Sequence, residues 1–251
     1  MLININNCLK AIGLLCLVCI CNLGYGQQAT SDKNKRHDPM IGKPGYVMRE
    51  KSSPFSSVIT VNDYDNFKLG VDFAECSITI NPLNPTQMYA AWNLFGTSPA
   101  SKGYRTDNGY DWTESTPPWF GMGGDVVVTS DNTGRLLFEN MYGTNIQGAK
   151  VATSPDFGGT WDPIVLAIEG EDKSWIAADQ TTGLYSKYLY ATMTATDGGN
   201  LSESADQGKS FTHVYNFAEH NLPGMIACIG PKDTIEGGSL YVVTNYGLNY
   251  A

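Results

Sequence analysis

Two carboxylates at matching places give the chain its first chemical reading. Glu75 stands six residues before Asn81, and Asp125 six residues before Asp131; each of those polar residues closes a short apolar run. A carboxyl pair brought to one point can give and take a proton around a glycosidic oxygen, the work of a general acid and base. Other residues suit a sugar. Trp119 and Trp175 offer flat apolar rings, while Asp172, Tyr142, Asn145 and His220 offer partners for hydroxyls. Plainer readings stand beside these. Trp119 follows two prolines and can anchor a packed loop, Trp175 can belong to the core, and Glu171, Asp172 and Lys173 can form a solvated turn.

The elements that must position these residues repeat along the chain. "CSITINP" (76–82) leads through a turn to "MYAAW" (88–92), and "DVVVTSD" (125–131) leads to "LLFEN" (136–140). "SWIAAD" (174–179) precedes "YLYATMT" (188–194), and "MIACIGP" (225–231) precedes "SLYVVTN" (239–245). β-Branched and aromatic runs broken by Gly, Pro, Asn and Asp are strand–turn–strand signals. The turn entries Asn81, Asp131, Asp179 and Gly230 follow at intervals of 50, 48 and 51 residues. No helical periodicity competes with this reading.

A second motif runs in phase with the strand pairs. "SPDFGGTW" carries Ser154, Asp156, Gly158, Thr160 and Trp161; "SADQGKSF" carries Ser204, Asp206, Gly208, Ser210 and Phe211 at the same offsets. "RTDNGYDW" keeps Asp107, Gly109 and Trp112, so the aspartates follow at 49 and 50 residues. The aspartate can accept backbone N–H bonds across a turn, the glycine supplies positive φ, and the aromatic buries between sheets. That is a staple for the fold rather than a reaction centre. A four-stranded antiparallel unit of about 50 residues repeated around an axis is a propeller blade. The loops entering the first strand of each blade then share the face opposite the boxes, and that face would carry Glu75, Asp125 and the aromatics.

The spacing Ser-x-Asp-x-Gly-x-Thr-Trp resembles the Asp box, or bacterial neuraminidase repeat, of sialidase-like propellers. The stretch "DKSWIAADQTTGLYSKYLYATMT" (172–194) resembles secreted bacterial proteins of the exo-α-sialidase or glycosyl hydrolase repeat type. The resemblance spans about 70–251 and implies an all-β, sialidase-like propeller of four-stranded blades. About three and a half blades fit into this chain, which reads as part of a longer six- or seven-bladed protein. Sialidases hold the substrate carboxylate with an arginine cluster, whose first member opens the first blade. Here that place falls at Ala74 or Glu75, within "AECS", and the loop "NLFGTSPASKG" (93–103) lacks the family's acid/base aspartate. The chain's four arginines are Arg36, Arg49, Arg105 and Arg135. Sialidase activity is therefore not expected, unless arginines from further blades supply it.

Bulk composition sets the surroundings. Residues 1–26 place Lys10 before an apolar run of 16 residues ending in Gly26. Such a run is too short to span a bilayer and reads as a signal peptide cleaved before Gln27, with an uncleaved anchor as the alternative. Residues 27–69 form an extension or linker with room for a first strand, and the blades follow. The chain has 25 acidic against 16 basic residues, a net charge of −9, which disfavours nucleic acid as a partner. Its three histidines have no cysteines at zinc spacing, and "NDYDN" (62–66) lacks the glycine and distal glutamate of a calcium loop. No cofactor or metal is expected. Cys76 and Cys228 remain outside the leader, to be joined as a disulfide or buried as thiols. The expected protein is secreted or periplasmic, has no membrane span once cleaved, and meets extracellular glycan or a cell-surface protein. It binds or processes glycan, or serves as a scaffold without turnover.

Overall fold

A strand covered on both faces gains nothing from polar alternation, and the runs 126–128, 136–138 and 176–178 are apolar without a break. In the structure the first two runs lie in the two innermost strands of one sheet and the third in the innermost strand of the next. The computed structural model describes residues 47–50, 57–61, 64–68, 75–94, 101–118, 122–195, 198–217 and 224–244, which hold strands and no helix. The segment expected to be a signal peptide, residues 1–26, lies outside them. Among the described residues no helix is long and apolar enough to cross a membrane.

An N-terminal meander joins β1 (Val47–Glu50), β2 (Ser57–Val61) and β3 (Tyr64–Lys68). The first full blade is β4 (Ser77–Asn81), β5 (Asn84–Asn93), β6 (Ser101–Thr106) and β7 (Trp112–Glu114). The second is β8 (Met122–Ser130), β9 (Leu136–Tyr142), β10 (Gly148–Ser154) and β11 (Val165–Glu169). The third is β12 (Asp172–Ala178), β13 (Leu189–Ala195), β14 (Gly198–Ser204) and β15 (Thr212–Phe217). A half blade follows in β16 (Met225–Lys232) and β17 (Ile235–Thr244). Every pairing is antiparallel between sequence neighbours, as in a propeller. The innermost strands β4, β8, β12 and β16 pack one against the next and line an axial cavity of about 570 Å³.

Side chains that alternate along β9 serve two different interfaces. Leu136 and Phe138 join Tyr89 and Ala91 of the first blade, whereas Leu137 and Met141 join Ile176, Leu189 and Met193 of the third. This is why the run 136–138 is apolar without a break. The boxes close these interfaces from below. Trp161 meets Tyr89 and Phe138 edge-on, with ring centroids 5.8 and 6.1 Å away, and Phe211 packs against the second interface. Trp112 packs with Trp92 and Tyr104 on the far side of the first blade.

Two of the turns share one hydrogen-bond pattern. Asp156 Oδ1 accepts from Thr160 N at 2.6 Å and Ser154 Oγ at 2.9 Å, and Ser154 Oγ accepts from Gly158 N at 2.7 Å. Asp206 Oδ1 accepts from Ser210 N and Ser204 Oγ at 2.9 and 2.8 Å. The first unit differs from its expected alignment. Met88, Leu136 and Leu189 pair with Thr106, Ser154 and Ser204, so Thr106 holds the serine's place and Asn108 the aspartate's. Asn108 Oδ1 accordingly accepts from Tyr110 N and Asp111 N at 2.9 and 2.8 Å. Asp107 instead takes Arg105 at 2.5 Å and Gln87 at 2.9 Å, because this loop is one residue shorter before its tryptophan. Cys76 and Cys228 are also corrected: both are exposed, unbonded thiols.

Candidate functional site at the axial mouth

The site is built where each blade's innermost strand begins. β8 is irregular in register between Met122 and Val127, and β12 between Asp172 and Trp175. Bulges of this kind turn a side chain away from the sheet. The turned residues are Asp125 and Lys173, with φ of 52° and 51°, and Glu75 just before β4 has φ of 56°. Gly224 takes the same place before β16, at φ 112°. Each stands six residues ahead of its turn entry, Asn81, Asp131, Asp179 or Gly230. Left-handed backbone is free to glycine but costs about 1–2 kcal/mol for other residues. Three blades in succession carry that cost to aim a charged side chain at the axis.

Their side chains meet. Lys173 Nζ lies 3.0 Å from Glu75 Oε1 and 3.5 Å from Asp125 Oδ2. Asn93, at the end of β5, donates through Nδ2 to Glu75 Oε2 and, at 3.3 Å, to Asp125 Oδ1. The Asn93 carbonyl oxygen accepts Val126 N at 3.2 Å and Ser101 Oγ at 3.5 Å, which fixes the amide's orientation. Beneath it Asn140 donates to Ser101 Oγ and accepts Gly124 N at 3.2 Å. A buried Asn–Ser–Asn chain thus holds the β8 bulge and the amide that reaches both carboxyls.

The two carboxyls share the Asn93 amide nitrogen and the Lys173 ammonium, which bring them side by side. The neighbouring Asp125 carboxyl first, then Lys173 and Asn93, hold Glu75 below the usual carboxylate range against a partial burial that works the other way. Burial and the neighbouring Glu75 carboxyl, with the charge of Asp172, push Asp125 up to about 6, although Lys173 opposes the rise. The pair therefore carries one proton in mildly acidic solution, held on the Asp125 side. Desolvation opposes a charge on Lys173, but its bond to Glu75 and the nearby Asp125 raise its pKa on balance.

Glu75, Asp125 and Asp172 thus come together, and Lys173 and Asn93 complete the cluster although sequence reasoning gave neither a role. The signal for Lys173 was present in its spacing from Asp179, the same as that of Glu75 and Asp125 from their turns. Trp175 sits between its two readings. It forms part of the axial wall, packs on the core, and donates Nε1 to Ala227 O at 3.1 Å. Tyr142 ends β9 on the loop face with Lys150 Nζ 4.5 Å from its ring centroid, and Asn145 is exposed in the next turn. Trp119 and His220 lie outside the described residues. Glycosidases that cleave with two carboxyls hold them about 5–9.5 Å apart, leaving room for the bond or a water. Glu75 and Asp125 are instead bridged by the single Asn93 nitrogen and by Lys173, which occupy the space between them.

Two arginines among the described residues are committed elsewhere. Arg105 pairs with Asp107 and Arg135 with Asp162, each at 2.5 Å, at the turns on the opposite face. Among the described residues no group of three or more His, Cys, Asp or Glu side chains is arranged to hold a metal ion.

No protein-family model matches the sequence, and no curated protein matches it. Solved structures do match in fold. An arginine-to-alanine mutant of AofleA from Arthrobotrys oligospora superposes at a TM-score of 0.51 and 12% identity, over 81% of this chain and 62% of that one. A Hadza microbial sialidase gives 0.46 at 13% identity, over 77% and 50%. The GH74 enzyme from Niastella koreensis gives 0.41 at 17% identity, over 82% and 30%. The chain spans less than two thirds of the length of each of these proteins.

Proposed function

We propose that this chain is an exported propeller that binds extracellular glycan at its axial mouth. One observation carries the reading. The same position in three consecutive blades holds Glu75, Asp125 and Lys173 in left-handed backbone, and their side chains converge with Asn93 on one point. Convergent donors and acceptors above a cavity suit the hydroxyls of a sugar, each of which gives and takes a hydrogen bond. Binding is favoured over turnover by this pair because the two carboxyls are tied to each other's partners, Asn93 and Lys173.

The charge balance selects among glycans. Lys173 answers Glu75, and Asp172 adds a further carboxylate beside the mouth. The anionic sugar of a sialoside would bring its carboxylate to the place where Glu75 already stands, and like charges at close range repel. The test incubates the full chain with a fluorogenic α-linked sialoside and, separately, with an immobilised panel of neutral polysaccharides. No release of sialic acid and retention by at least one neutral glycan are expected. Turnover of the sialoside, or capture of a cell-surface protein with no glycan retained, would contradict the reading.

A further inference from the structure

Two carboxyls held side by side by one amide nitrogen and one ammonium cannot both be ionised and stay there unless something compensates the repulsion. At the mouth the compensation is shared and partial. Lys173 approaches Glu75 more closely than Asp125, and the Asn93 amide serves both acids with one nitrogen. Asp125 is the more enclosed of the two, its side chain 14% exposed against 43% for Glu75. The charged or titratable groups that face Asp125 are Glu75 from the start of the first blade and Lys173 and Asp172 from β12. Two of these three are acids. We infer that the mouth is a proton-gated site: it grips an uncharged glycan while Glu75 and Asp125 share a proton, and releases it when that proton leaves.

The inference rests on the glycan reading above and adds its regulation. With the proton in place, Glu75, Asp125, Asn93 and Lys173 form one closed set of bonds whose outward lone pairs and N–H groups have fixed directions. Without it the pair must separate and take up water, so the positions offered to a sugar's hydroxyls are lost together with one donor. Binding and proton uptake are then linked in both directions: a bound glycan also raises the pH at which the pair ionises. The Asp125 value of about 6 places the change between mildly acidic and neutral solution.

Two measurements on the full chain test this. Carboxyl ¹³C NMR of the ligand-free protein should show Glu75 and Asp125 responding together to one proton near pH 6. Lys173→Met should move that step to higher pH, because the ammonium favours ionisation. Retention of a labelled neutral glycan panel at pH 5 and pH 7.5 should fall about tenfold or more at the higher pH, within a one-proton ceiling of about thirtyfold. Asp125→Asn removes the ionisable group and should flatten the difference. Equal retention at both pH values, or a pair that titrates as two independent acids of ordinary pKa, overturns the gate and leaves the glycan reading standing. No retention at either pH, with the NMR step present, overturns the glycan reading and the gate with it.

Discussion

The native chain is expected to lose stability as pH rises from about 4.5 to 8, and replacing Glu139 with glutamine is expected to remove most of that loss. Glu139 is fully buried on β9, where it faces the third blade, and neither carboxyl oxygen has a hydrogen-bond partner among the described residues. Burial pushes its pKa from the ordinary 4.5 up to about 8. The folded chain therefore holds a proton that the unfolded chain releases between these two values. Stability is full below about pH 4.5, declines through the interval, and reaches its lowest level above pH 8. At 1.36 kcal/mol per pKa unit the loss is about 5 kcal/mol. Asp125 contributes in the same direction over a narrower range. Urea melts at pH 5 and pH 9 measure it: Glu139→Gln should show much the smaller difference between the two. A variant with the native pH slope would show that Glu139 is not buried in its acid form.

Gly208→Val is expected to destabilise the chain by about 3–5 kcal/mol. Gly208 has φ of 85°, and a Cβ there would lie 2.8 Å from Thr153 Cγ2 and 3.2 Å from Leu189 Cδ1, in the seam between the second and third blades. Its amide also donates to Ser204 Oγ at 2.9 Å, so the backbone cannot turn away without losing that bond. Backbone strain and overpacking therefore add. Alanine should cost less than valine, because it brings one carbon into the seam rather than three. Denaturant midpoints of the two variants check the order. A valine variant within about 1 kcal/mol of the native chain would mean that the seam is looser than its geometry.

The sequence carried the blades more legibly than the site. Strand pairs stood out because β-branched runs end at Asn81, Asp131 and Asp179, and the repeat interval located the innermost strands. Register was less legible. "RTDNGYDW" keeps aspartate, glycine and tryptophan in order, but only the pairing of Met88 with Thr106 reveals that Asn108 takes the aspartate's place. Glu75 and Asp125 were found by their spacing from the turns. Lys173 has the same spacing and was passed over because its neighbours Glu171 and Asp172 made the stretch look like a solvated turn. Glu139 gave no signal at all. In a strand buried on both faces the polar positions do not alternate, so nothing in "LLFEN" tells an inward glutamate from an outward one. Asn93 was hidden for a different reason: its role depends on two blades meeting, which no local pattern records.

Chemical-shift mapping of the full chain with a neutral oligosaccharide retained from the panel tests the glycan-binding mouth most directly. At pH 5 the largest perturbations are expected at the Asn93 side-chain amide, at Asp125 and at Lys173, and they should weaken at pH 7.5. Perturbations confined to the opposite face, around Asp156 and Asp206, with the Asn93 and Lys173 signals unmoved, would contradict it.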